Sequence, residues 1–208
     1  LVIDGLKQQL RIPDFLCVLL IFVIGLGVFN SVTTWIEVIH RPRGFSILQA
    51  GVVGGIMVVG GILGALVIPL LSDHYRRRVP FIIVSLAAAT LGLVGIAFLY
   101  NYTLLILSAF VMGFFLLSAG PIGFQYGAEI TYPAPEGTSN GMLLMMGQIS
   151  GIIFILVMDS FKNPENGSMT ASLVFLAGLK FTGLLLATRL KEAQLLVGDV
   201  SVKDGTDD

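Results

Sequence analysis

Two kinds of place in this chain hold residues able to do chemistry. One is a charged connection, PLLSDHYRRRVP at residues 69–80, which sets Asp73 ahead of Arg76, Arg77 and Arg78. The other is a set of polar side chains stranded in oily runs: Asn30, Gln148 and Lys180. Asp73 and Arg77 are four residues apart, the spacing at which opposite charges meet across one helical turn. The amides each carry donors and an acceptor, and need partners wherever water is absent. Such groups do ion pairing and hydrogen bonding. No His-Glu-x-x-His and no phosphate-binding loop accompanies them. Neither an enzyme nor a cofactor is expected.

The elements that position these groups follow from where charge is missing. The chain has 208 residues, 55% hydrophobic and 12% charged, against about 25% charged in soluble domains. No charged side chain occurs over residues 15–36, 44–72, 79–128 or 137–158. A spanning helix needs roughly 20 apolar residues, and lipid leaves backbone polar groups no partner outside the helix itself. Six spans are predicted, at about 13–35, 46–71, 80–100, 103–127, 138–158 and 168–190. The third and fourth are divided at Asn101-Tyr102-Thr103. Ser46 and Gln49 have the spacing of a capping box, and Pro80 suits a first helical turn. Small residues four apart, Gly51/Gly55, Gly60/Gly64 and Gly147/Gly151, let helices approach closely in lipid.

Lys7, Arg11, Arg76, Arg77, Arg78, Arg189 and Lys191 gather on one side of such a layout, and Arg41, Arg43 and Lys162 on the other. The richer side is expected to be cytoplasmic, which puts both ends of the segment there. The expected setting is a multi-pass protein of the lipid bilayer, in a bacterial inner membrane. A net charge of −1 carries no nucleic-acid footprint. The single Cys17 allows no internal disulfide.

The charged connection resembles the signature loop of the major facilitator superfamily, G-x-x-x-D-R-x-G-R-R/K. Asp73, Arg77 and Arg78 match it. Pro69 stands for the first Gly, His74 for the first Arg and Arg76 for the second Gly. Degeneracy of this kind is usual in the weaker second copy, between the eighth and ninth helices. Residues 119–141, AGPIGFQYGAEITYPAPEGTSNG, are similar to the feline leukaemia virus subgroup C receptor-related branch. Pro121, Gly123, Phe124, Glu129, Thr131, Tyr132, Pro133, Glu136, Gly137, Thr138, Ser139 and Gly141 match, and Gln148 and Gly151 follow in register.

The resemblance implies an all-α membrane fold in which the six spans are one half of a twelve-helix transporter, helices seven to twelve. Residues 1–12 would end the linker between halves, 13–190 form the transmembrane half, and 191–208 a polar acidic tail. The partners implied are a small-molecule solute and the missing N-terminal six-helix half. Substrates of the branch include organic cations such as choline and ethanolamine, with haem in older assignments. Two halves of this kind hold solute between them near the midplane.

On this reading Gln148 is a solute contact as well as a candidate hydrogen bond between helices. Asn30, after the glycine-rich GLGVFN, is a kink-satisfying amide or a second contact. The branch has Tyr near the positions of Phe29 and Asn30, for cation–π contact with an ammonium. Trp35 is a belt residue at the membrane interface or a wall of the site, and Gln125 is a further cavity candidate. Glu129 and Glu136 flank the TYPAPEG loop and are expected near Arg76, Arg77 and Arg78. With Asp73 they would form a latch that pairs in one state of the transporter and separates in the other; alternatively they are solvated loop charges. Lys180, the only charge deep in a span, is either functional or snorkels to the interface. A membrane receptor or assembly partner on six helices, without transport, is the alternative function.

Overall fold

A computed structural model describes residues 9–192. Residues 1–8 of the expected linker (1–12) and residues 193–208 of the expected acidic tail (191–208) lie outside the described residues. Among the described residues the regular elements are all helical: α1 (Pro13–Thr34), α2 (Ile36–His40), a 3-10 turn (Arg41–Arg43), α3 (Ile47–Tyr75), α4 (Val79–Phe98), α5 (Tyr102–Thr131), α6 (Glu136–Ser160) and α7 (Thr170–Ala187). All but the five-residue α2 and the 3-10 turn are long and apolar enough to cross a membrane, which makes six spans. The protein is an all-α, multi-pass integral membrane protein.

The helix starts have local causes. Pro13 opens α1, where a missing N–H has no partner to lose. The Ser46 hydroxyl accepts from the Gln49 N–H at 3.2 Å, and the Gln49 side chain accepts from the Ser46 N–H at 2.9 Å, completing the capping box of α3. Asn101 caps α5 by accepting from the N–H groups of Thr103 and Leu104. Two ends extend further than the uncharged runs: α3 continues to Tyr75 and α5 to Thr131, each about one turn beyond the expected bounds.

α3 lies along α5 and α6 lies along α1, while α4 contacts α5 and α7, and α7 contacts α1 and α4. Glycine sets the closest of these contacts. A Cβ on Gly64 would stand 1.8 Å from the Phe114 carbonyl oxygen, and one on Gly113 would stand 1.8 Å from that of Met57. The α3 and α5 backbones therefore touch there. Gly51 and Gly55, by contrast, face open space. Two apolar clusters fill the interior. One holds Leu93, Ile96, Met112 and Leu173 toward the α4–α5 turn; the other holds Phe15, Phe22, Leu86 and Tyr126 toward the α3–α4 loop. Outside, α3, α4 and α6 expose large side chains such as Leu48, Leu91 and Leu156. A bilayer tolerates this and water does not.

Lys180 does not snorkel. It is 1% exposed, and among the described residues its Nζ has no hydrogen-bond partner. The reason is its register on α7: Leu176 and Gly183, one turn to either side, are both buried, and Gly183 lies against Ile24 of α1.

Candidate solute site and end latch

The two mid-span amides meet. Asn30 Nδ2 on α1 donates to Gln148 Oε1 on α6 at 3.0 Å. Glycine makes this possible: a Cβ on Gly151 would stand 2.6 Å from Asn30 Nδ2, and one on Gly147 would stand 2.4 Å from Leu26 Cδ1. The Gly147/Gly151 pair is thus the seat into which Leu26 and Asn30 sink. The bond uses one donor and one acceptor. Among the described residues the Gln148 Nε2 donors and the Asn30 Oδ1 acceptor have no protein partner. Gln148 is exposed and Asn30 half-buried, so the free groups are open to a ligand.

Beside the amides lies a small, half-open apolar recess between α1 and α5, with a volume of about 50 Å³. Phe29 and Leu26 form its wall next to Asn30, and Leu86 of α4 and Leu116 of α5 also line it. Trp35 does not line it. Its indole Nε1 donates to the Ile155 carbonyl at 3.1 Å, tying the end of α1 to α6. Gln125 is also elsewhere: its Nε2 donates to Glu129 Oε1 at 3.2 Å, toward the α3–α4 loop.

At that end a charged cluster forms, centred on Arg78. Its guanidinium donates to Asp73 Oδ1, to Glu129 Oε1 from Nη2 at 3.2 Å, and to Ser72 Oγ at 3.4 Å. The Arg78 and Glu129 side chains are 7% and 5% exposed, while Asp73 is 59% exposed. Burial pulls the Arg78 guanidinium down, but Asp73 and Glu129 outweigh it and leave it above its ordinary value. The helical pairing of Asp73 with Arg77 does not form. α3 stops at Tyr75, and Arg76 takes a left-handed conformation with φ +50°. The chain turns there, so Arg77 points outward and Arg78 returns under the helix ends. Arg76, Arg77 and Glu136 are exposed and make no ion pair among the described residues. Glu136 sits in the first turn of α6.

The sequence reading missed Glu192. Its carboxylate accepts from the Arg78 N–H, and from the Val79 N–H at 3.3 Å, so it caps α4 from beyond α7. The Tyr126 hydroxyl donates to the neighbouring Lys191 carbonyl at 2.7 Å. A glutamate just past a predicted span was the only available signal. A further stretch, Gly137-Thr138-Ser139-Asn140-Gly141, spells the letters of a nucleophile elbow. It is helical, however, not a strand-to-helix turn. Ser139 is buried against Thr131 at 2.7 Å and Gln9 at 2.9 Å, with neither a His nor a carboxylate among its hydrogen-bond partners.

The described residues thus combine six apolar helices, a mid-span polar pair and an Asp–Arg–Glu cluster at one end. The chain belongs to the Major Facilitator Superfamily, whose family model matches residues 1–155. It is 29% identical over 166 residues to Solute carrier family 49 member A3 of Xenopus tropicalis, covering 78% of this chain and 34% of that protein. It is 29% identical over 185 residues to the mouse Choline/ethanolamine transporter FLVCR1, covering 85% of this chain and 32% of that one. An uncharacterized protein of Archaeoglobus fulgidus is 28% identical over 196 residues, covering 90% of this chain and 88% of the relative. The chain thus spans about a third of the vertebrate relatives and most of the archaeal one.

Proposed function

We propose that this chain is the C-terminal half of a secondary transporter that moves a small organic solute by alternating access. The observation that carries the reading is the Asn30–Gln148 pair, open to a ligand at mid-span with one donor group and one acceptor unused. An N-terminal six-helix half would close the site from the other side, as in folds built from two such repeats. Phe29 adds an aromatic wall. Trp35 acts on the site by holding α1 to α6, and Gln125 by bridging toward Glu129. Choline and ethanolamine, named for one relative, are the first solutes to try, with haem after them. The absence of a carboxylate in the uncharged runs of α1, α5 and α6 favours solutes that need no counter-charge from this half.

Asp73, Arg78 and Glu129 form the latch that biases which side of the site is open, and Glu192 holds the Arg78 backbone in place. Arg77 and Glu136 belong to its solvated rim. A network made in one state and broken in the other shifts such an equilibrium by its differential energy alone. The lysine- and arginine-rich end is cytoplasmic on this reading, in an inner membrane.

The test is uptake of labelled solute into proteoliposomes holding the complete transporter. Gln148→Ala and Asn30→Ala should each lower uptake about fivefold, a lost hydrogen bond being worth roughly 1 kcal/mol. Full uptake by both variants would reject the site. A second reading, a six-helix receptor or assembly partner without transport, is favoured by one observation: the archaeal relative is nearly as short as this chain. Uptake by the wild type would reject that reading.

A further inference from the structure

The geometry points to a solute with two parts: an uncharged hydrogen-bonding head held by Asn30 and Gln148, and an apolar body lodged in the recess beside them. This rests on the reading of the amide pair as the solute site. The head is argued from what the pair leaves free. Gln148 Nε2 donates and Asn30 Oδ1 accepts, so a group offering one acceptor and one donor, such as a primary amide or an alcohol, satisfies both. No charged residue of α1, α5 or α6 lies between residues 15 and 36, 102 and 128, or 137 and 158. A full charge on the head would meet no counter-charge there.

The body is argued from the recess. Phe22, Gly25, Phe29, Leu86, Leu116 and Gly120 line it, all without a polar side chain. It is small and half-open, with a volume of about 50 Å³, so the body it takes is a short alkyl chain. Two glycines keep it open. A Cβ on Gly120 would meet nothing within 4 Å, and one on Gly25 would meet only Leu116, at 3.7 Å. Recess and amides share one helical turn of α1: Leu26 and Phe29 border the recess, Leu26 also packs on Gly147 of α6, and Asn30 carries the head contact. A molecule bound to the amides is therefore positioned to fill the recess.

The experiment uses the chain in lipid nanodiscs, with Trp35, its single tryptophan, as the fluorescent reporter. The probes are straight-chain primary amides from butanamide to decanamide, together with choline and ethanolamine. Affinity should tighten about fourfold per methylene until the recess is full, and then level off. Gly120→Leu should bring the levelling at least two carbons earlier and weaken the longest amide tenfold or more. Gly25→Ala should do the same more weakly, guarding against misfolding of the leucine variant. Gly178→Leu, on an exposed face of α7 with open space around it, should leave the series unchanged. An unbroken slope, identical in wild type and Gly120→Leu, would mean partition into lipid and overturn the inference. Choline or ethanolamine binding that weakens in Gln148→Ala, with no binding of amides, would overturn it too and leave the solute site standing. Binding of none of the probes would overturn both.

Discussion

The middle of the membrane half and its α3–α4 end are both polar places in an apolar molecule, and they are built in opposite ways. At mid-span two neutral amides satisfy each other once and leave groups free, in a face opened by glycines and flanked by a small apolar recess. At the end the charges are paired with one another, although Glu129 Oε2 is left buried without a hydrogen-bond partner among the described residues. Arg78 is surrounded by Asp73, Glu129 and Ser72, its backbone N–H is taken by Glu192, and the guanidinium is nearly buried. A site with spare valence suits a ligand that comes and goes. A cluster of paired, mostly buried charges suits a part that is either locked or open.

The largest predicted effect falls at the end. Arg78→Met leaves Glu129 buried without its partner and should lower stability by about 3–5 kcal/mol. Asp73→Asn, at the exposed corner, should change it by less than about 1 kcal/mol. Denaturant unfolding in detergent compares them, and equal losses would mean the cluster does not act from its buried side.

Next is the cation that belongs to neither region. Lys180→Met removes a buried amine that has no hydrogen-bond partner among the described residues and should stabilise the protein by about 2–3 kcal/mol, seen as a higher Tm. A loss of stability would show that Lys180 has a partner in the working state. At mid-span, Gly151→Leu drives a side chain into Asn30 and should cost about 1–3 kcal/mol together with solute binding. Gly55→Leu, in open space, should do neither.

Smaller still is the turn that aims Arg78. Arg76 holds a left-handed conformation that glycine adopts freely. Arg76→Gly should gain about 0.5–1 kcal/mol without altering the cluster. Far from both regions, His40 is buried near the α4–α5 turn, its Nδ1 2.6 Å from the Ile36 carbonyl. Burial lowers its proton affinity most; the Ile36 carbonyl opposes this, and Arg43 lowers it further. The unfolded imidazole takes up its proton near the ordinary value of 6.5, and the folded one only at lower pH. Stability should be complete above that value and fall as the pH drops below it. His40→Gln should flatten the profile between about pH 7 and 5.

The six spans were legible because a missing charge over 20 or more residues is a strong, local signal. Their ends were not, because helical hydrogen bonding continues past the first charge until the backbone turns, at Arg76 after α3 and beyond Thr131 after α5. The polar members of the site were visible as residues out of place. Their pairing was not: Asn30 and Gln148 are 118 residues apart, and no periodicity connects them. The choice of Arg78 over Arg77 depends on one left-handed residue, where the matching family signature would have glycine and this chain has arginine. Glu192 was hidden by its polar surroundings, since a carboxylate near a chain end carries no mark of the N–H groups it will cap.

The decisive measurement is equilibrium binding of choline, ethanolamine or the best-bound amide to the complete protein, wild type against Gln148→Ala. Affinity should be about fivefold weaker in the variant, a lost hydrogen bond of roughly 1 kcal/mol, with the unfolding profile unchanged. Equal affinity in the two proteins would contradict it.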